Sequence, residues 1–223
     1  MTKEEILNKA IYIQFPLTET TYNTYTLKDV NKTINKLPLP NGMLYSTWAL
    51  NNHHFTTEYH RLHVIPLLEE LFGFKFDASQ YHMVNKMHDK YDISQLYPNN
   101  DFKFDTYCFN DNEKLVDVPY EILCTNPYTT CDITDYHRLF RYGHKCSMVI
   151  NKTIDNNRKL LISGDSQMIP SVPTLCTLFK EVWYLDNRAC ITPSIMYRDT
   201  DFTDVLIELN CDSLDRYINR NIR

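Results

Sequence analysis

Short apolar runs dominate the last third of the chain: KLLIS (Lys159 to Ser163), EVWYL (Glu181 to Leu185) and DVLIEL (Asp204 to Leu209). Each has the length of a strand, and near-continuous apolarity suits strands buried on both faces, as in a parallel sheet. Between the first two, QMIPSVPTLCTLFK sets Ile169, Val172, Leu175, Cys176 and Phe179 at steps of three and four, which puts them on one helical face. Pro170 and Pro173 then fall in or near the first turn, where proline is tolerated. Strand, turn, helix, strand is a βαβ unit. It predicts a three-layer α/β (αβα) domain with a mainly parallel sheet and the Lys159–Ser163 strand at its centre.

A second helix is expected after His54. FTTEYHRLHVIPLLEELFGF offers Thr56 or Thr57 as N-cap, apolar positions through Leu71, and Gly73 as its stop. Pro66 falls mid-pattern and should kink or split it. LPLPNG (Leu37 to Gly42) and YPNND (Tyr97 to Asp101) read as turns, and FKFDTYCF and VPYEIL as strands. With 223 residues, no repeat and no low-complexity tract, the whole chain, residues 1–223, is expected to form a single domain.

Charge and cysteine narrow the function classes. A formal charge of −5 without a Lys/Arg run makes nucleic acid a poor partner. No apolar stretch approaches the length of a membrane span. MTKEEILNKAIYIQF has acids where a secretory signal needs positive charge, and the seven cysteines form no CxxC. Reduced thiols, no disulfides and a cytoplasmic location are the expectation.

Gly164-Asp165-Ser166 falls where the Lys159–Ser163 strand should end and a helix begin, the edge at which open α/β sheets place ligands. A serine there meets free backbone N–H groups at a helix N-terminus, which together with the helix dipole favour a developing oxyanion, or it serves merely as an N-cap. A nucleophilic serine needs a base, usually a histidine oriented by an acid. Two groups offer one. NNHHFT carries His53 and His54 just ahead of the second helix, and Asp135-Tyr136-His137 carries its own acid. His60 and His63 lie near the first group, but no HExxH occurs and no metal site is expected.

Taken together, NNHHFTTEYH, then RKLLISGDSQMIPSVPTLCTLFKEVWYLDNR, then TDVLIELN resemble the DHHW branch of the SGNH/GDSL-like hydrolases, related to the alginate O-acetylation proteins. The resemblance spans roughly residues 43 to 215 and is best over Lys159 to Arg188. It implies an SGNH-like domain with Ser166 as nucleophile, His54 as base, His53 beside it, and no cofactor. The family acid falls at Asn52, which can hold a histidine tautomer but cannot stabilise imidazolium by charge. Phe55 replaces the family tryptophan, and Gly143-His144 stands where the family has Gly-Asn. Asp186 and Arg188 match the family Asp-x-Arg, so Arg188 either binds substrate or forms a structural ion pair.

The implied activity is that of a carbohydrate O-acetylesterase or O-acetyltransferase, with a carbohydrate or acylated small molecule as substrate. The rival expectation is a non-catalytic carbohydrate-binding or assembly protein with a degenerate site. Asn52 and the 16 tyrosines fit the rival, since aromatic faces stack on sugars.

Overall fold

The computed structural model describes residues 2–16, 33–38, 57–88, 91–109, 115–117, 146–164, 167–186 and 201–209. The apolar runs of the last third form adjacent strands of one sheet: β8 (Lys159–Gly164), β9 (Glu181–Asp186) and β10 (Asp204–Leu209). β8 pairs in parallel with both of the others. Beyond β10 lie two more parallel strands, β1 (Ala10–Gln14) and β2 (Ile34–Lys36). Beyond β9 the sheet turns antiparallel through β7 (Cys146–Asn151), β5 (Phe104–Phe109) and β6 (Leu115–Asp117). The order is β2-β1-β10-β8-β9-β7-β5-β6, so β8 is central and the parallel pairings outnumber the antiparallel ones. A separate antiparallel hairpin joins β3 (Tyr81–His88) to β4 (Tyr91–Pro98).

Side chains alternate along each strand and so feed two cores. Leu160, Ile162, Val182, Tyr184 and Leu206 face one side, where Val172, Leu175 and Phe179 cover them together with Val64, Leu68 and Phe72. Leu161, Trp183, Val205 and Ile207 face the other, against Ile6 and Phe202. Helices therefore lie on both faces, which is the three-layer α/β arrangement the apolar runs predict. On the second face the cover is helix α1 (Lys3–Lys9), started by a capping box between Thr2 and Glu5. Among the described residues no helix is long and apolar enough to cross a membrane.

From Thr57 the chain is helical, but in pieces. α2 (Thr57–Tyr59) passes into a π-helical stretch, His60–Val64, and then into α3 (Ile65–Phe72). Pro66 has no N–H and its ring would collide with the carbonyl four residues back in a regular helix. The wider π turn removes the conflict: the Ile65 N–H reaches back to the His60 carbonyl, and Pro66 falls in the first turn of α3. Gly73 ends the helix in the left-handed conformation at φ 69°, its N–H donating to the Glu69 carbonyl.

Candidate functional site

The connections from the parallel strands leave in opposite directions. β1 is followed by β2 on its outer side and β8 by β9 on the other, with β10 between β1 and β8. In open α/β sheets the ligand crevice lies outside the carboxyl ends of the strands at such a switch point. Here that point lies over the end of β10, beside Gly164 at the end of β8.

Gly164 is wedged there. A Cβ on it would stand 3.0 Å from Met168 Cβ and 3.3 Å from Glu208 Oε2. Its carbonyl accepts a 3.4 Å bond from the Tyr184 hydroxyl. Gln167 and Met168, on the far side of Asp165 and Ser166, are both buried. Gly164 thus ends β8 packed against Met168 and Glu208, and Gln167 and Met168 lie in the core. Glu208, on β10, is completely buried. It is a carboxylate at the carboxyl edge that sequence reading absorbed into the apolar run DVLIEL. The available signal was a lone acid at the carboxyl end of a strand otherwise built for burial.

The helix after Ser166 departs from expectation. The chain first makes a 3-10 turn, Ile169–Ser171, and only then α4 (Val172–Cys176), with Pro173 in its first turn. Proline at both Pro170 and Pro173 removes two N–H donors from this region, which favours a tight turn over an early α-helix. The helix therefore starts six residues after Ser166 and is five residues long, too remote and short for the dipole contribution expected at the serine.

The segments that follow the two motifs meet. His60, on the π-helical stretch, places Nδ1 2.7 Å from the Ser171 hydroxyl, on the 3-10 turn. Both residues are buried, and the imidazole packs on Phe15 at the end of β1 with ring centroids 5.6 Å apart. Burial pushes the His60 pKa down to about 3, so the ring is neutral at any working pH. Its Nε2 finds no partner among the described residues. A serine–histidine pair this deep is closed to substrate and is not itself a nucleophile and base. Next to it, the Tyr59 hydroxyl donates to the Pro38 carbonyl at 2.7 Å, which ties α2 to the strand end after β2.

Ser166, His54, Asn52, His53 and Arg188 all lie outside the described residues, as do Asp165, Asp135, His137 and His144. Asp186 closes β9, opposite Gly164 in the register.

No family model matches the chain, and no curated protein matches it. Solved structures do. Bacillus cereus PatB1 with a sulfonyl adduct superposes with a TM-score of 0.67 at 15% identity, covering 92% of this chain and 83% of that one. A second Bacillus cereus PatB1 structure gives 0.66 with the same identity and coverage. A DHHW family protein from Eubacterium siraeum gives 0.61 at 15% identity, covering 92% of this chain and 79% of the other. At this identity the likeness is one of fold: the chain is built like PatB1 and like a DHHW family protein over nearly its whole length.

Proposed function

We propose that this chain is a serine-dependent carbohydrate O-acetylesterase or O-acetyltransferase of the SGNH type. One observation carries the reading. The Gly-Asp-Ser motif follows the central strand at the switch point of the sheet, and the turn after it packs against the helix that follows His53 and His54. Gly164, which opens the motif, and Gln167, which follows it, are both buried. The solved PatB1 neighbour that carries a sulfonyl adduct supports a fold suited to covalent chemistry.

Ser166 Oγ attacks the acetyl carbonyl while His54 takes its proton. Backbone N–H groups near Ser166 hold the oxyanion, with no helix dipole to assist. Collapse breaks the ester C–O bond, and His54 returns the proton to the departing hydroxyl, leaving acetyl-Ser166. Water or a sugar hydroxyl then attacks the acetyl carbon while His54 takes its proton; collapse breaks the bond to Ser166 Oγ, His54 returns the proton to Oγ, and acetate or the acetylated sugar leaves. Arg188 and His53 are placed in this reading as substrate contacts.

Turnover of an aryl acetate tests it. Ser166→Ala should abolish the rate, and His54→Ala should cost on the order of 10²-fold or more. Asn52→Asp should raise the rate, because a carboxylate stabilises the imidazolium that an amide cannot; the reverse change in a serine triad can cost ~10⁴-fold. A flat response to Asn52→Asp in folded protein would remove Asn52 from the acid's place. Asn52 is also the observation that favours the second reading, a carbohydrate-binding or assembly protein that keeps the fold without turnover. That reading predicts sugar binding and no loss on Ser166→Ala.

A further inference from the structure

The catalytic reading needs His54 and Ser166 to meet, although they stand far apart in the sequence. Among the described residues, a buried hydrogen bond joins their neighbourhoods. His60 follows His54 by six residues and Ser171 follows Ser166 by five. Between them Nδ1 and Oγ are 2.7 Å apart, in a site where neither residue has more than 1% of its surface exposed. The ring also packs on Phe15, which follows β1, with centroids 5.6 Å apart. A hydrogen bond away from water is costly to leave half-made, so this pair resists sliding of the two segments past each other.

We propose that His60 and Ser171 are positioning residues: their bond fixes the helix after the His53–His54 motif against the turn after Ser166 and so sets where base meets nucleophile. The proposal rests on the reading of Ser166 and His54 as the reacting pair. Three features distinguish the bond from general core packing. It is buried away from water, it joins the two motif-bearing segments, and it lies on the face of the sheet that holds Glu208 against Gly164. The π turn begins at His60 itself, which is buried on the same side as Val64, four residues on.

The test is steady-state aryl acetate hydrolysis by the full chain, with kcat expressed per site titrated by a fluorophosphonate. Protein that has merely unfolded lowers the number of titrated sites, whereas misplaced groups lower the rate per site. Ser171→Ala and His60→Phe should each lower kcat per site by about 10- to 100-fold, as expected for a displacement of about 1 Å, with KM little changed. His60→Asn sets an amide where Nδ1 stands and should restore most of the rate. If His60→Phe does not fold, Ser171→Ala and His60→Asn decide the matter. Folded Ser171→Ala with the wild-type kcat per site overturns the positioning role alone. A wild-type protein that neither turns over the ester nor takes the label at Ser166 overturns the catalytic reading, and the positioning role falls with it.

Discussion

Gly164 is the residue on which the candidate site rests, for a steric reason and not a conformational one. The nearest obstacle to a side chain there is Met168 Cβ, which moves only if the backbone moves, and Glu208 lies behind it. Gly164→Ala should therefore cost about 1–3 kcal/mol by overpacking, or about 2–4 °C of Tm per kcal/mol in a chain of this size. Calorimetry reads the loss. A variant as stable as wild type would show that the Gly164 backbone does not abut the Glu208 side chain. At this scale the sequence was only partly legible. That Gly164 ends a buried strand followed from KLLIS, but the burial of Glu208 did not, because an acid inside DVLIEL barely alters an apolar pattern and does not show which way its side chain faces. The pairing of His60 with Ser171 was also out of reach, since it joins residues 111 apart that each look like ordinary helix or cap positions.

At the scale of elements, local chemistry was most readable where it is strongest. Pro66 and Gly73 marked the break and the end of the second helix, and the structure uses both, with a π turn at the first and a left-handed cap at the second. Gly73→Ala meets no neighbour within 4 Å, so its cost is purely that of placing an L side chain at φ 69°. Thermal or urea unfolding should show a loss of about 1 kcal/mol. No loss would mean that α3 ends differently. The strands that escaped notice have weaker signals. β1 is five residues long with a buried Gln14, and the β3–β4 hairpin lies off the main sheet, with His82 and Met83 exposed. Polarity in a buried strand and apolarity on a half-covered one both blur the alternation on which strand recognition depends. The expected VPYEIL strand lies outside the described residues.

Across the whole molecule, the α/β class followed from one βαβ unit, but the strand order could not. Nothing local in DVLIEL says that β10 inserts between β1 and β8, and that insertion creates the switch point. The opposite edge of the sheet has its own fastening. Arg158, just ahead of β8, donates from Nη2 to Asp204 Oδ1 at 2.7 Å and from Nε to Oδ2 at 3.2 Å. Its Nη1 donates to the Phe72 carbonyl at 3.1 Å, and its guanidinium lies 4.5 Å over the Phe179 ring. One side chain thus joins the starts of β8 and β10 to the end of α3. Lysine keeps the charge but loses the planar fork, so Arg158→Lys should destabilise by about 1–2 kcal/mol. Because this edge is remote from the carboxyl ends, the rate per titrated site should not change. A lowered rate in folded Arg158→Lys would show that the two edges are coupled.

The central claim is that Ser166, just past the carboxyl end of β8, is an activated nucleophile. The most direct measurement is covalent capture: incubation of the native chain with a fluorophosphonate, then peptide mass spectrometry to locate the adduct. Oγ displaces fluoride from phosphorus only where a base takes its proton, so an unactivated surface serine stays bare. The account predicts a single adduct on the peptide containing Ser166, lost on denaturation beforehand and lost in His54→Ala. Native, folded protein that carries no adduct at Ser166, or carries it at another serine, would contradict it.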